Sequence, residues 1–328
     1  MIISRTPVRI PLGGGGTDLP AYYEKYEGSV LTAAVSKYVY IVVKQHFEET
    51  IRVTGYSRKE VVESPDQVQH PVVREALKLL GLGRGIEIVS ISDVPANTGL
   101  GTSSSFAVGL LNALHAFKSE NPSPQTLAQE ALHIERVLLK EAGGVQDQYI
   151  AAYGGFLAIH VNKQGEVAVS PLRTDTDLLA ELERRLVFFY TRFQRSASAI
   201  QAEHVQSLSH GAHEAVESLH EIKRIGMETR EAFEHGELDR FGRLLDAHWN
   251  CKKRIGANIS NGEIDRWYGM ALEAGALGGK LVGAGGGGFL MLYCHPDARD
   301  RVRAILSKDL KELRVRFEAS GSRILLNI

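Results

Sequence analysis

The sequence of 328 residues lacks several features that mark other classes of protein. Its two cysteines, Cys251 and Cys294, are too few for a disulfide framework and lack the spacing of metal ligands, so a reducing, cytoplasmic setting is expected. A net charge of −1 gives no electrostatic basis for a nucleic acid partner. No apolar run approaches the roughly 20 residues of a membrane span, and the first residues lack signal-peptide character, so no membrane partner is expected.

No internal repeat or low-complexity linker divides the chain either. The composition, with 44% hydrophobic and 23% charged residues, is that of a soluble globular protein with a substantial core. Strand and helix patterns are mixed along the chain, which predicts an α+β fold. The pattern includes helices over 126–141 and 297–313 and a strand over 315–318. A shift in composition near residue 175 predicts two domains, 1–175 and 176–328.

Three glycine-rich segments stand far apart, at residues 8–18, 95–105 and 283–289. One glycine run is weak evidence of a site. Three runs that could converge on one cleft predict a site built from backbone amides around a polyanion. The third run also satisfies a dinucleotide-binding pattern formally, but no strand–loop–helix unit surrounds it, so a nicotinamide enzyme is a distant alternative.

The second segment has the layout of a phosphate-binding loop. A strand is followed by Gly99-Leu100-Gly101 and then by a helix that begins near Ser103. The glycines allow a tight turn, and the start of the helix offers unpaired amides and a partial positive charge to an anion. A serine-rich helix cap is the structural alternative. Such a cap needs one hydroxyl, whereas four in a row favour a ligand: Thr102, Ser103, Ser104 and Ser105.

Two carboxylates have unusual surroundings in the sequence. Glu135 falls within an apolar stripe of a predicted helix, where a carboxylate is costly unless a cation meets it. Mg²⁺ bridging ATP phosphates would meet it, and the alternatives are a surface arginine neighbour such as Arg136 or a half-exposed stripe. Asp147 follows Gly143-Gly144 at a predicted helix start, which suggests a close approach to a reaction centre. A helix-capping aspartate would give the same spacing, so both interpretations of Asp147 remain open.

These segments, taken in order along nearly the whole chain, resemble the GHMP family of small-molecule kinases. Residues 95–105 are similar to the family's phosphate loop, with Thr102 where serine is usual. The resemblance implies a two-domain GHMP-kinase-like fold, with an N-terminal mixed α/β domain and a C-terminal ferredoxin-like α+β domain with added helices. It also implies an enzyme that uses ATP and Mg²⁺.

The same resemblance implies a role for each matched residue. Asp147 would be the catalytic base, with Arg9 as its neighbour and a neutraliser of developing charge. Mg²⁺ would be held by Ser103 and Glu135. ATP would be bound by Pro95, Gly99, Leu100, Gly101, Thr102, Ser103 and Ser104. The sugar phosphate would be bound by Gly15, Gly16, Thr17, Asp18, Arg195, Gly286 and Gly287.

Within the family, the sequence is most similar to the D-glycero-D-manno-heptose 7-phosphate kinases. The segments 5–10, 14–20 and 99–106 carry that similarity, which implies a sugar phosphate as the small-molecule substrate. Residues 190–198 are also similar to a segment of L-fucose kinases, although Arg192 stands where glycine is usual. An L-fucose kinase or another sugar 1-kinase, and a non-catalytic regulator, are the alternatives. A monomer or homodimer in the cytoplasm is expected.

Overall fold

The computed structural model describes residues 1–55, 58–172, 175–193, 200, 202, 213–256 and 258–328. The strands among these residues are β1 Ile2–Gly13, β2 Gly28–Gln45, β3 Ile51–Gly55, β4 Arg58–Val62, β5 Ile86–Ser92, β6 Phe156–Val161, β7 Val167–Pro171, β8 Leu186–Tyr190, β9 Ala276–Leu281, β10 Phe289–Cys294, β11 Lys311–Leu313 and β12 Arg323–Asn327. The helices are α1 Pro20–Tyr26, α2 Pro71–Leu79, α3 Thr102–Phe117, α4 Pro124–Leu132, α5 Gln146–Tyr153, α6 Thr176–Arg185, α7 His213–Glu234, α8 Leu238–Lys253, α9 Gly262–Glu273 and α10 Pro296–Leu306. None of these described helices combines the length and the apolar character needed to span a membrane.

The larger sheet has eight strands and is built around the long strand β2. Its main order is β12-β1-β2-β5-β3-β4, and β6 pairs with β2 and β7. Most pairs are antiparallel, while β3 runs parallel to β5. Along β2 the buried side chains Val39, Ile41 and Val43 alternate with more exposed ones, as expected for a strand with one face against the core. Helix α3 packs on β1 and β2 and is buried along most of its length.

The smaller sheet has the order β11-β8-β10-β9 and is antiparallel throughout. Helices α8, α9 and α10 pack against its strands. The last strand, β12, leaves this part of the chain and pairs with β1 in the larger sheet. The mixed α+β architecture agrees with the sequence pattern. The division at residue 175 stays a prediction, and residues 323–327 lie with the sheet of the predicted N-terminal domain.

Three of the sequence-based elements differ in the structure. The helix expected over 126–141 ends at Leu132 and continues as a π-helical turn over His133–Leu138, where the Leu139 amide donates to the Ile134 carbonyl. The helix expected over 297–313 ends at Leu306, because the chain then forms β11 beside β8. The strand expected over 315–318 is reduced to an isolated bridge between Val35 and Phe317.

Candidate active site

The second and third glycine segments touch through their backbones. Gly99 has a φ of +81°, and a Cβ atom there would lie 2.2 Å from the Val282 carbonyl oxygen. A Cβ atom on Gly283 would lie 2.5 Å from the Gly99 Cα atom, and one on Gly288 would lie 2.2 Å from the Thr98 oxygen. Because real side chains cannot approach so closely, glycine is what allows the two loops to meet.

Arg9 joins the first segment to the second. Its backbone amide donates to the Leu100 carbonyl at 2.9 Å, and its guanidinium Nη1 donates to the Gly99 carbonyl. Arg9 lies in the second half of β1, four residues before Gly13, and it is almost completely buried. All three glycine segments therefore surround one place in the fold.

Asp147 is held by the same arginine. Arg9 Nε donates to Asp147 Oδ1 at 2.7 Å and Nη2 donates to Oδ2 at 2.7 Å, which is the bidentate geometry of a strong charge-assisted pair. A Cβ atom on Gly101 would lie 3.2 Å from both Asp147 Oδ2 and Arg9 Cγ, so the phosphate-type loop lies directly against this pair. The arrangement brings together the three groups singled out in the sequence, and their chemical roles stay predictions.

A cavity of about 290 Å³ opens over this pair. This volume is close to the lower limit for sites that bind small molecules. Its walls include side chains and backbone from both glycine loops and from the segment before α5. The lining residues include Arg9, Asp18, Gly99, Gly101, Thr102, Ser103, Ser104, Glu135, Asp147 and Gly283. Pro95 is exposed and Leu100 is buried in the core, and neither lines this cavity.

The N-terminus of α3 faces the cavity. Gly101 caps the helix with a φ of +75°, and the first described amide that bonds back along the turn is that of Ser105, to the Gly101 carbonyl. The preceding amides at the helix start can therefore bind an anion. The hydroxyls have separate partners: Ser105 Oγ donates to the Pro7 carbonyl at 2.8 Å, Ser104 Oγ contacts Glu135, and Ser103 is exposed at the cavity wall.

Glu135 is buried in the wall of the cavity with neutral partners. Ser104 Oγ donates to it at 3.1 Å and Gln148 Nε2 donates to the same oxygen. Burial raises the pKa of Glu135, against the smaller opposing effect of Arg136. A buried carboxylate with neutral donors fits a divalent cation, and Mg²⁺ needs only one or two carboxylates besides phosphates and water. Within the described chain the hydroxyl beside Glu135 is that of Ser104, whereas Ser103 lines the cavity without a described contact to it.

Asp18 connects the first glycine segment to the start of α5. Its Oδ2 accepts from the amides of Val145 at 3.0 Å and Gln146 at 3.1 Å, and its Oδ1 accepts from the Gly16 amide at 3.2 Å. A Cβ atom on Gly144 would lie 2.0 Å from Oδ2, so the chain needs glycine there. Burial raises the pKa of Asp18, and Asp147 adds to that effect. Asp18 thus positions the turn that carries Asp147.

The remaining predicted substrate residues lie in different surroundings. Gly15 and Gly16 line a second, smaller cavity beside the first one. Thr17 is buried, and its hydroxyl donates to the Gly14 carbonyl at 2.8 Å. Gly286 donates its amide to the Ile259 carbonyl at 2.8 Å, and Gly287 packs on the Phe193 backbone, so both lie outside the two cavities. Arg195 lies outside the described residues.

Sequence reasoning missed three basic side chains of the second cavity. His248 and Lys252 come from α8, and Lys280 comes from β9. Lys252 Nζ donates to the Gly283 carbonyl, and Lys280 Nζ lies 2.9 Å from His248 Nδ1. A signal existed, because His248 and Lys252 are four residues apart and therefore share one face of a helix.

Comparison with known proteins identifies the family. Residues 69–155 match the family described as GHMP kinases N terminal domain, and residues 229–312 match the one described as GHMP kinases C terminal. The chain belongs to the GHMP kinase family. It is 31% identical over 322 residues to the D-glycero-alpha-D-manno-heptose 7-phosphate kinase of Campylobacter jejuni, with 94% of each chain covered.

Two further relatives extend the comparison. The chain is 29% identical to the L-fucokinase/L-fucose-1-P guanylyltransferase of Bacteroides fragilis, over 97% of this chain and 37% of that protein. A solved D-glycero-D-manno-heptose 1-phosphate kinase from Bacteroides thetaiotaomicron matches with a TM-score of 0.83 and 27% identity, covering 100% of both chains. The two-domain GHMP fold and a kinase activity, both predicted from the sequence, are confirmed by these findings.

Proposed function

We propose that this GHMP kinase transfers the γ-phosphoryl group of ATP to the anomeric C1 hydroxyl of D-glycero-D-manno-heptose 7-phosphate, giving the 1,7-bisphosphate. The observation that carries the proposal is the bidentate Arg9–Asp147 pair, which lies against the loop at the N-terminus of α3. A carboxylate beside a phosphate-binding loop suits a group that receives a proton from an acceptor hydroxyl. The name of the C. jejuni relative supports heptose 7-phosphate as the acceptor.

Different residues of the chain have different roles in phosphoryl transfer. The amides of Thr102, Ser103 and Ser104 at the start of α3 bind the phosphates of ATP, because the helix end attracts anions. Asp147 orients the sugar hydroxyl and accepts its proton, and Arg9 neutralises charge that develops beside it. Mg²⁺, when bound near Glu135 and the hydroxyls of Ser103 and Ser104, supplies charge neutralisation for the transferring phosphoryl group.

The acceptor hydroxyl does not require a strong base. A hemiacetal hydroxyl is more acidic than an ordinary alcohol, so the proton can leave to a carboxylate late in the transfer. Asp18, which binds the amides before α5, keeps that carboxylate in position and faces the cavity beside it. We place the sugar between Asp147 and the first glycine segment. The phosphate loop lies on the other side of Asp147.

A substrate panel tests this proposal. The chain is incubated with ATP and Mg²⁺ and, in separate reactions, with heptose 7-phosphate, heptose 1-phosphate, unphosphorylated heptose, L-fucose and galactose, and phosphorus NMR locates each new phosphate. We expect the highest kcat/KM with heptose 7-phosphate and a new phosphate on C1. A new phosphate on heptose 1-phosphate, the acceptor that the name of the B. thetaiotaomicron structure suggests, would replace the proposed reaction.

L-Fucose kinase is the second candidate, because the B. fragilis relative covers 97% of this chain and its name includes that activity. Higher kcat/KM with L-fucose than with any heptose would favour it. ATP binding without turnover on any sugar would favour a non-catalytic regulator. If heptose 7-phosphate is the substrate, its product would supply nucleotide-activated heptose for surface polysaccharide. We propose that the chain acts in the cytoplasm as a monomer or homodimer.

A further inference from the structure

Three basic side chains are buried together beside the first glycine segment. Lys280 and His248 each expose 1% of their surface, and Lys252 exposes 8%. They line the second cavity, which Gly15, Gly16 and Asp18 also line. Lysine is almost never fully buried unless an anion pairs with it. Two such lysines in one small cavity therefore need an explanation.

The partners of both ammonium groups are neutral. Lys252 donates to the Gly283 carbonyl, and Lys280 contacts His248 Nδ1. Within the described parts of the chain, neither lysine forms an ion pair with a carboxylate. The carboxylates at hand are already bound, since Asp147 is held by Arg9 and Asp18 accepts from three backbone amides.

The buried positive charges repel one another. Burial, and then the charge of Arg9, lowers the pKa of Lys252 to about 7. Burial, and then the charges of Lys252 and Arg9, lowers the pKa of Lys280 well below its usual range. An anion placed among these groups would raise the pKa of both lysines, because an opposite charge favours the protonated ammonium.

We propose that Lys252 and Lys280, with His248 holding Lys280 in place, bind the phosphate group that the sugar substrate already carries. This inference rests on the proposed function and names the part of the cavity that selects a phosphorylated sugar. The second cavity shares Arg9, Asp18 and Gln146 with the larger one, so one ligand can extend through both. Its volume of about 50 Å³ suits one small anionic group better than a second sugar ring.

Lys252 could instead serve only to fasten the third glycine loop through the Gly283 carbonyl. That role predicts a lower melting temperature and an equal loss of activity on every sugar after substitution. An anion-binding role predicts a selective loss for phosphorylated sugars. The two roles are distinguished by the ratio of kcat/KM values for heptose 7-phosphate and heptose, together with the KM for ATP.

The experiment uses the full chain and the variants Lys252→Gln and Lys280→Gln. Glutamine removes the charge, and at position 252 it keeps a donor for the Gly283 carbonyl. Lys253→Gln is the matched control, because the neighbouring lysine lies partly exposed over Trp249 and outside both cavities. Melting curves establish that each variant is folded. Binding of heptose 7-phosphate and of heptose without ATP is measured by calorimetry, so the result does not require turnover.

We expect the preference for heptose 7-phosphate over heptose to fall at least about 10-fold in both glutamine variants, because each variant loses a charge-assisted hydrogen bond to the phosphate. The KM for ATP should be unchanged in both glutamine variants, and the control variant should keep the wild-type preference for heptose 7-phosphate. A preference that survives both substitutions would overturn the inference, as would wild-type protein that binds the two sugars equally. If the panel shows another reaction while the glutamine variants lose binding of the phosphorylated sugar, the anion subsite stands and the proposed reaction fails.

Discussion

The guanidinium of Arg9 binds both carboxylate oxygens of Asp147, each at 2.7 Å. The two residues are 138 positions apart, and the second glycine loop lies against both of them at Gly101. This relationship fixes the direction of the carboxylate, because a bidentate pair leaves little freedom of rotation. It also leaves Asp147 partly accessible, with 22% of its side chain exposed at the cavity.

We predict that Asp147→Asn folds and binds ATP but loses at least about 10²-fold in kcat. An amide cannot accept the proton of the acceptor hydroxyl, and it leaves Arg9 without its anionic partner. Steady-state kinetics and nucleotide binding by calorimetry measure the two effects separately. Asp297→Asn is the control, because that carboxylate is 87% exposed on the first turn of α10. Near-normal turnover of the Asp147 variant would remove this residue from the role of base.

Contact between the glycine loops gives a second prediction. Gly99→Ala should destabilise the protein by more than about 1–2 kcal/mol, because the residue has a positive φ and its new Cβ would meet the Val282 oxygen at 2.2 Å. ATP affinity should fall with stability, since the same loop lines the main cavity. Thermal denaturation with and without ATP provides the measurement.

The matched change for comparison is Gly269→Ala. Gly269 lies within α9, and a Cβ atom there has nothing within 4 Å. Alanine is favoured over glycine inside a helix by about 1 kcal/mol, so this variant should be as stable as the wild type or more so. If Gly99→Ala were equally harmless, the close packing of the two loops could not be essential to the fold.

Local patterns singled out Asp147 and the second glycine loop, whereas Arg9 and its place beside Asp147 came from the resemblance to the GHMP kinases. Glycines before a helix, and an acid after glycines, are patterns that appear within a few residues. The relation between Glu135 and a serine hydroxyl was harder to predict, since one position along a helix turns the side chain by about 100°. The exact start of α3 and the π-helical turn at His133–Leu138 decide which hydroxyl faces the carboxylate.

The basic cluster shows what the sequence could not provide. Lys252 is followed by Lys253, and two consecutive lysines near the end of a polar helix are typical of a solvated face. Only the packing of α8 against β9 buries Lys252 and brings it beside Lys280, which is 28 positions away. The four-residue spacing places His248 and Lys252 on one helix face, but their burial and the approach of Lys280 depend on contacts between distant elements.

A third prediction concerns Glu135→Gln. The pKa of Glu135 is raised in the folded protein, so the stabilisation from its protonated form is present below about 4.5 and is lost as the pH rises through the folded-state pKa. Glutamine stays neutral, and we expect this variant without ligands to be more stable than the wild type at pH 8. The difference should shrink as the pH falls towards 4.5.

The same variant should lose most of the stabilisation that MgATP gives the wild type. Ligand at 100 times its dissociation constant stabilises a protein by about 2.7 kcal/mol, which melting curves resolve easily. Glu141→Gln is a suitable control, because that nearby carboxylate lines the same cavity but is exposed. A Glu135 variant that is less stable without ligands, and equally stabilised by MgATP, would contradict the metal assignment.

The pH dependence of substrate selection provides the last prediction. The charged and titratable groups around the second cavity are Arg9, Asp18, His248, Lys252 and Lys280. With a pKa of about 7, Lys252 is cationic below that pH and neutral above it. A sugar monophosphate becomes a dianion above a pKa of about 6.

The ratio of kcat/KM for heptose 7-phosphate to that for heptose should therefore be greatest between about pH 6 and 7 and fall towards pH 9, because kcat/KM reports the free protein. The ratio cancels the titration of groups that serve both sugars, and the falling limb should be absent in Lys252→Gln. A wild-type ratio that stays constant or rises from pH 7 to 9 would show that Lys252 does not bind the phosphate as a cation.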